Sequence, residues 1–142
     1  MNTLRSAIDA SASALDVQRA RMEVAVSNLA NAESTRGPDG QPYRRREVVL
    51  ETKSFANQLD LGTTPGATGV KVAAVVEDQG DFIRRYEPSH PDADADGFVA
   101  MPNVAVPEEM VDMLGAARAY QANLTAITVI RDTIQRALEL AK

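Results

Sequence analysis

The sequence has no cysteine and no tryptophan in 142 residues. Without thiols it can form neither a disulfide nor a thiolate metal site. Aromatic residues are only 4% of the chain although 44% is apolar, and much of that apolar content is alanine. Alanine fills tight helix contacts without building a thick core, so an elongated, helix-rich shape is expected of this one modest domain. No run approaches the ~20 apolar residues of a membrane span, so direct membrane insertion is not expected. Residues 1–15 lack a basic start followed by an apolar stretch, so no cleavable secretory signal is expected either. The net charge of −5 argues against nucleic acid as the main partner.

What the sequence does have is two apolar seams, one at each end. From Val106 the second seam takes Met110, Met113, Ala117, Tyr120, Leu124, Ile127, Ile134 and Leu138, in steps of four and three broken only by Arg131. That spacing keeps a stripe on one face of a helix. Val111, Leu114 and Ile130 widen the stripe beyond what one partner can cover. Helix grammar agrees: Pro107 lies near the start with Glu108, Glu109 and Asp112 behind it, and Arg136 and Lys142 lie near the end. The first seam runs Met1, Ile8, Leu15, Met22 and Leu29, with Ala12 and Val26 between and Arg19 as its interruption. No proline or glycine precedes Gly37, so this helix can run about 45 Å at 1.5 Å per residue. Asn28 and Asn31 mark its expected C-terminus.

The expected fold class is α+β. Long N- and C-terminal helices, residues 1–32 and 103–142, form a coiled-coil or bundle layer. Residues 33–102 hold a loop and a small antiparallel β module. Turn formers fill residues 34–42, and strands are expected over Tyr43–Glu51, Val70–Glu77 and Phe82–Glu87. In the second strand Val70, Val72, Ala74 and Val76 alternate with Lys71, Ala73, Val75 and Glu77. Phe55 and Leu59 fall in a segment of unassigned type, and Leu61–Gly69 reads as a flexible loop. Arg44, Arg45 and Arg46 form a basic run whose middle member points away from the others. A solvated strand edge, or charge pairing with a neighbouring subunit, explains it better than a phosphate clamp.

Two stretches invite a chemical reading. Asp92, Asp94, Asp96 and Gly97 match the first half of a calcium-binding EF-hand loop. The second half fails, because Asn103 stands at position twelve and Pro91 and Pro102 deny the loop its helices. An acidic surface loop is the plainer reading, and a calcium-binding interaction module the alternative. His90 is the only histidine; with Ser89 beside it and Pro91 behind, no nucleophile–base–orienter set is visible. Glu47 and Glu51 show nothing that marks a hydrolase pair, so no enzymatic activity is expected.

Ser27-Asn28-Leu29-Ala30-Asn31-Ala32-Glu33-Ser34-Thr35 resembles the N-terminal signature of bacterial flagellar rod and hook proteins. Asn103-Val104, Glu109-Met110-Val111-Asp112-Met113 and Arg118-Ala119-Tyr120-Gln121-Ala122-Asn123 resemble their C-terminal signature. The stretches Arg36–Arg45 and Pro88–Asp94 are similar to those of proximal-rod members. The resemblance implies a structural, torque-transmitting subunit of the basal-body rod. It would be exported uncleaved by the flagellar type III apparatus and form part of the export channel wall across the periplasm. It would pack helically with copies of itself, other rod proteins and the export-gate or basal-body adaptor, with no cofactor and no metal. Its terminal helices would order on assembly, and the Asp-rich loop would lie near subunit contacts. The implied assembly residues are Ile8, Leu15, Met22, Val26, Asn28, Leu29 and Asn31 on the first helix. On the second they are Met110, Met113, Tyr120, Asn123, Leu124, Ile127, Ile134 and Leu138.

Overall fold

The computed structural model describes residues 2–54 and 68–140. Met1 of the first seam, Phe55, Leu59, loop residues 61–67 and Lys142 lie outside the described residues. The order is α1 (Asn2–Ala30), β1 (Arg46–Ser54), β2 (Thr68–Glu77), β3 (Ile83–Tyr86), β4 (Phe98–Met101) and α2 (Val106–Leu140). The architecture is α+β, two long helices with small antiparallel sheets between them. The helices run antiparallel: Asn28 meets Glu109, and one turn or two further back Arg21 approaches Asp112 at 4.0 Å.

α1 packs against α2 on one side and the β1–β2 hairpin on the other. That double contact leaves one narrow outward row: Arg5, Asp9, Ala12, Asp16, Arg19, Glu23, Val26 and Ala30 are all exposed, in alternating steps of four and three. Val17 and Ala25 are buried, while Ile8, Leu15, Met22 and Leu29 are half-buried. Ala25 of α1 and Ala116 of α2 are buried, and their small side chains allow close backbone approach.

On α2 the inner face differs from the expected seam by one row. Met113, Tyr120, Ile127 and Ile134 are half-buried as expected, but their companions are Glu109, Ala116, Asn123 and Ile130. Met110, Ala117, Leu124 and Leu138 face outward and are exposed. An apolar count selects the second set; a carboxylate that finds buried partners selects the first.

The middle forms two separate two-stranded sheets, β1 with β2 and β3 with β4. β4 falls where only an acidic loop and its flank were expected. The alternation of the second strand is broken by a bulge: Val48 pairs with Val75, Val49 with Ala74, and Leu50 with Val72. The extra residue, Ala73, moves Val75 rather than Val76 to the face shared with Val48. Around β4, Val99, Met101, Pro102 and Val104 are buried and form a second small apolar cluster.

Candidate assembly site

Asn28 is fully buried near the end of α1 and uses its whole amide. Its Nδ2 donates to the Arg46 carbonyl and to Glu109 Oε2, both at 2.9 Å. Its Oδ1 accepts from the Tyr43 hydroxyl and the Arg46 N–H, both at 2.9 Å. Two donors and two acceptors are all an asparagine side chain has. One residue thus fastens the end of α1 to the start of β1 and the first turn of α2.

Glu109 is 2% exposed, and its other oxygen accepts from Arg45 Nε at 2.5 Å. Arg45 also pairs with Glu47 and lies 3.9 Å from Asp112. Burial lowers the proton affinity of this guanidinium, but its bonds to Glu109 and Glu47 more than offset that, so it stays protonated. Its backbone N–H donates to Asn103 Oδ1 at 3.0 Å. Arg45 is therefore paired within its own chain, which corrects the expectation of a solvated edge or an intersubunit pair. The opposed orientation does hold: Arg44 donates to the Asp78 and Gly80 carbonyls and covers the Phe82 ring, while Arg46 reaches Glu77.

Asn31 sits just past α1, where its N–H and Nδ2 both donate to the Ser27 carbonyl. A second tie joins the loop after α1 to the Asp-rich loop. Asp92 Oδ2 accepts from the Thr35 hydroxyl at 2.8 Å, and Oδ1 lies 3.4 Å from Arg36. His90 Nδ1 accepts the Asp92 N–H, so the lone histidine is a turn residue here. Asp94 Oδ1 accepts from the Phe98 and Asp96 N–H groups and Oδ2 from Arg84. The Phe98 N–H is the largest cause holding this carboxyl below its ordinary value; burial opposes it, and the Asp96 N–H and Arg84 add to it. Gly97 follows at φ +80°, where a Cβ would stand 2.9 Å from the Tyr86 ring. The carboxylates of Asp92 and Asp94 thus serve protein donors and close a β-turn, and nothing in this arrangement supports a calcium site.

The outward face of α2 is left uncovered in the chain. Met110, Val111, Leu114, Leu124 and Leu138 are between 42% and 68% exposed. Val26 of α1, at 52%, is exposed as well. Of the residues expected at an assembly interface, Val26, Met110, Leu124 and Leu138 are exposed. Ile8, Leu15, Met22, Leu29, Asn31, Met113, Tyr120, Asn123, Ile127 and Ile134 are half-buried, and Asn28 is wholly buried inside the chain.

The profile of the family described as flagellar basal body rod FlgEFG protein C-terminal matches residues 95–140, which span β4 and α2. The flagellar basal-body rod protein FlgC of Salmonella typhimurium is 44% identical over 98% of both chains. FlgC of Bacillus subtilis is 42% identical over 95% of this chain and 96% of its own, and that of Borreliella burgdorferi 36% identical over 96% and 97%. The chain belongs to the FlgC family of flagellar basal-body rod proteins.

A FlgC-family chain is a structural component of the flagellar basal body, and the two stretches that resemble the family's terminal signatures meet in the knot formed by Asn28, Arg45 and Glu109. Asn28 comes from the N-terminal signature; Asn103 and Glu109 come from the C-terminal one. Sequence reasoning singled out Asn28 but missed Tyr43 and Glu109 as its side-chain partners, and Arg45 and Asn103 behind them. The available signal was Glu109 itself, an acid on a row otherwise made of Ala116, Asn123 and Ile130 and facing a basic run elsewhere in the chain.

Proposed function

We propose that this chain is a repeating subunit of the rod, joined to its neighbours through the outward faces of its terminal segments 1–32 and 103–142. The observation that carries the reading is the exposed apolar stripe on α2. Monomers rarely leave such a stripe on a helix of this length unless a partner covers it. Copies of this chain, other rod proteins and the export-gate or basal-body adaptor are the partners this reading requires. The knot then has a mechanical role. It fixes the helix pair to the β module, so that torque entering one part of the subunit is carried by the other. The periplasm-spanning position, uncleaved type III export and contribution to the channel wall belong to the same reading.

Leu124→Lys tests it. Leu124 is 42% exposed, so the variant should fold as the parent does while losing the apolar contact. In a strain lacking the native gene it should be exported yet leave the cells non-motile without complete basal bodies. Normal swimming with complete basal bodies would refute the proposal.

A further inference from the structure

The pairing of β3 with β4 leaves one backbone position of β4 open. Just beyond the ladder, the Glu87 N–H donates to the Gly97 carbonyl at 2.9 Å, so these two residues form a hydrogen-bonded pair. Antiparallel pairs alternate, so Arg85 with Val99 and Ile83 with Met101 bond across the sheet. Phe98 and Ala100 turn their backbone groups to the opposite edge. At Phe98 the Asp-rich loop fills that edge. The Asp94 N–H donates to the Phe98 carbonyl, and the Phe98 N–H donates to Asp94 Oδ1, both at 2.8 Å. Ala100 lies further along and is exposed, and among the described residues neither its N–H nor its carbonyl has a partner on that edge.

Ala100 lines an open groove of about 300 Å³ between the loop after α1 and the Asp-rich loop. Pro42, Pro91 and Ala93 give the groove apolar surface, and Thr35 and Arg36 give it polar surface. The Thr35 hydroxyl donates to one oxygen of Asp92, and Arg36 approaches the other at 3.4 Å. The Arg36 side chain is nevertheless 72% exposed, so its guanidinium keeps N–H donors for a second carboxylate.

We propose that this groove binds an extended acidic peptide segment of another protein chain by strand addition to β4. The segment's backbone exchanges hydrogen bonds with Ala100, a small apolar side chain lies against Pro42, Pro91 and Ala93, and a carboxylate meets Arg36. An open N–H beside an open carbonyl selects a peptide backbone, which carries the complementary acceptor and donor together. Such pairing supplies affinity, and the places for alternate side chains supply specificity. A volume near 300 Å³ lies at the lower end for ligand sites and suits a short stretch of chain better than a cofactor. Loops and β4 build this groove, apart from the exposed stripe of α2, so it stands or falls separately from the rod-subunit reading.

Amide NMR of the full chain, titrated with end-blocked pentapeptides, tests the site. The parent probe is alanyl-valyl-glutamyl-valyl-alanine. A second probe has glutamine in place of the glutamate. Two more carry methyl groups on alternate backbone nitrogens, one in each phase. The parent should shift the Ala93 and Ala100 resonances saturably in the millimolar range. The glutamine probe, and at least one methylated probe, should bind about fivefold more weakly. Arg36→Gln, at an exposed position whose fold circular dichroism can verify, should weaken the parent probe to the same degree and leave the glutamine probe unaffected. No saturable shift by about 10 mM, shifts confined to α2, or loss of either the charge or the methylation dependence would overturn the site.

Discussion

Asn28 spends both donors and both acceptors while fully buried, which makes it hard to replace by shape alone. Asn28→Ala leaves the Arg46 N–H and carbonyl, the Tyr43 hydroxyl and one Glu109 oxygen without their partner. Each net bond contributes about 1 kcal/mol and a stranded buried group costs more, so unfolding free energy should fall by about 2–4 kcal/mol. Urea denaturation measures this, and a loss under about 0.5 kcal/mol would contradict the knot. Asn28→Asp should not rescue it, because a carboxylate keeps the acceptors but places a second acid against Glu109. Asp94 gives the chain a dependence on acid. Its carboxyl is held below the ordinary value in the folded chain, chiefly by the Phe98 N–H. Its contribution is therefore fully present above the unfolded value, about 3.9, and is lost as pH falls through the lower folded value. The Asp96 and Phe98 amide resonances should stay in place at pH 5 and shift only below about pH 4. In Asp94→Asn that acid transition should vanish; an Asp94 carboxyl titrating above the ordinary value would contradict the account.

At the scale of elements, the proposed reading has α2 doing two things with neighbouring rows. The row of Met113, Tyr120, Ile127 and Ile134 borders both its inner and its outer face. Lysine scanning should separate the functions. Leu124→Lys should change stability by no more than about 0.5 kcal/mol while abolishing assembly, and Ile127→Lys should cost about 1–3 kcal/mol as well. Equal effects in a denaturation series would show that the rows are not distinct. The helices and that shared row were legible in the sequence because periodicity reports an apolar stripe directly. The inner companion row was not, since Glu109 faces inward only by virtue of Arg45 and Asn28, which are remote in sequence. β4 was hidden for a similar reason: four residues between an Asp-rich turn and Pro102 carry no strand signal until β3 pairs with them. The bulge at Ala73 likewise lies in the register between two strands and leaves no trace in either one.

The whole molecule has a thin core. Among the described residues the buried apolar side chains are Val17, Ala25, Val99, Met101, Pro102, Val104 and Ala116, mostly small and divided between two places. Met110, Val111, Leu114, Leu124 and Leu138 of α2 leave large apolar side chains exposed on the chain. On the proposed reading, burial of that surface by neighbours would stabilise the folded subunit and the assembly together, by mass action. The knot ties the helix pair to β1 within the chain, and the proposed reading leaves the stripe for a neighbour. Hydroxyl-radical footprinting of the purified subunit and of isolated basal bodies tests this division directly. The account predicts that Met110, Val111, Leu114 and Leu124 are labelled in the free subunit and protected in the rod, while Val99 and Met101 are protected in both. Equal labelling of the α2 stripe in subunit and rod would contradict it.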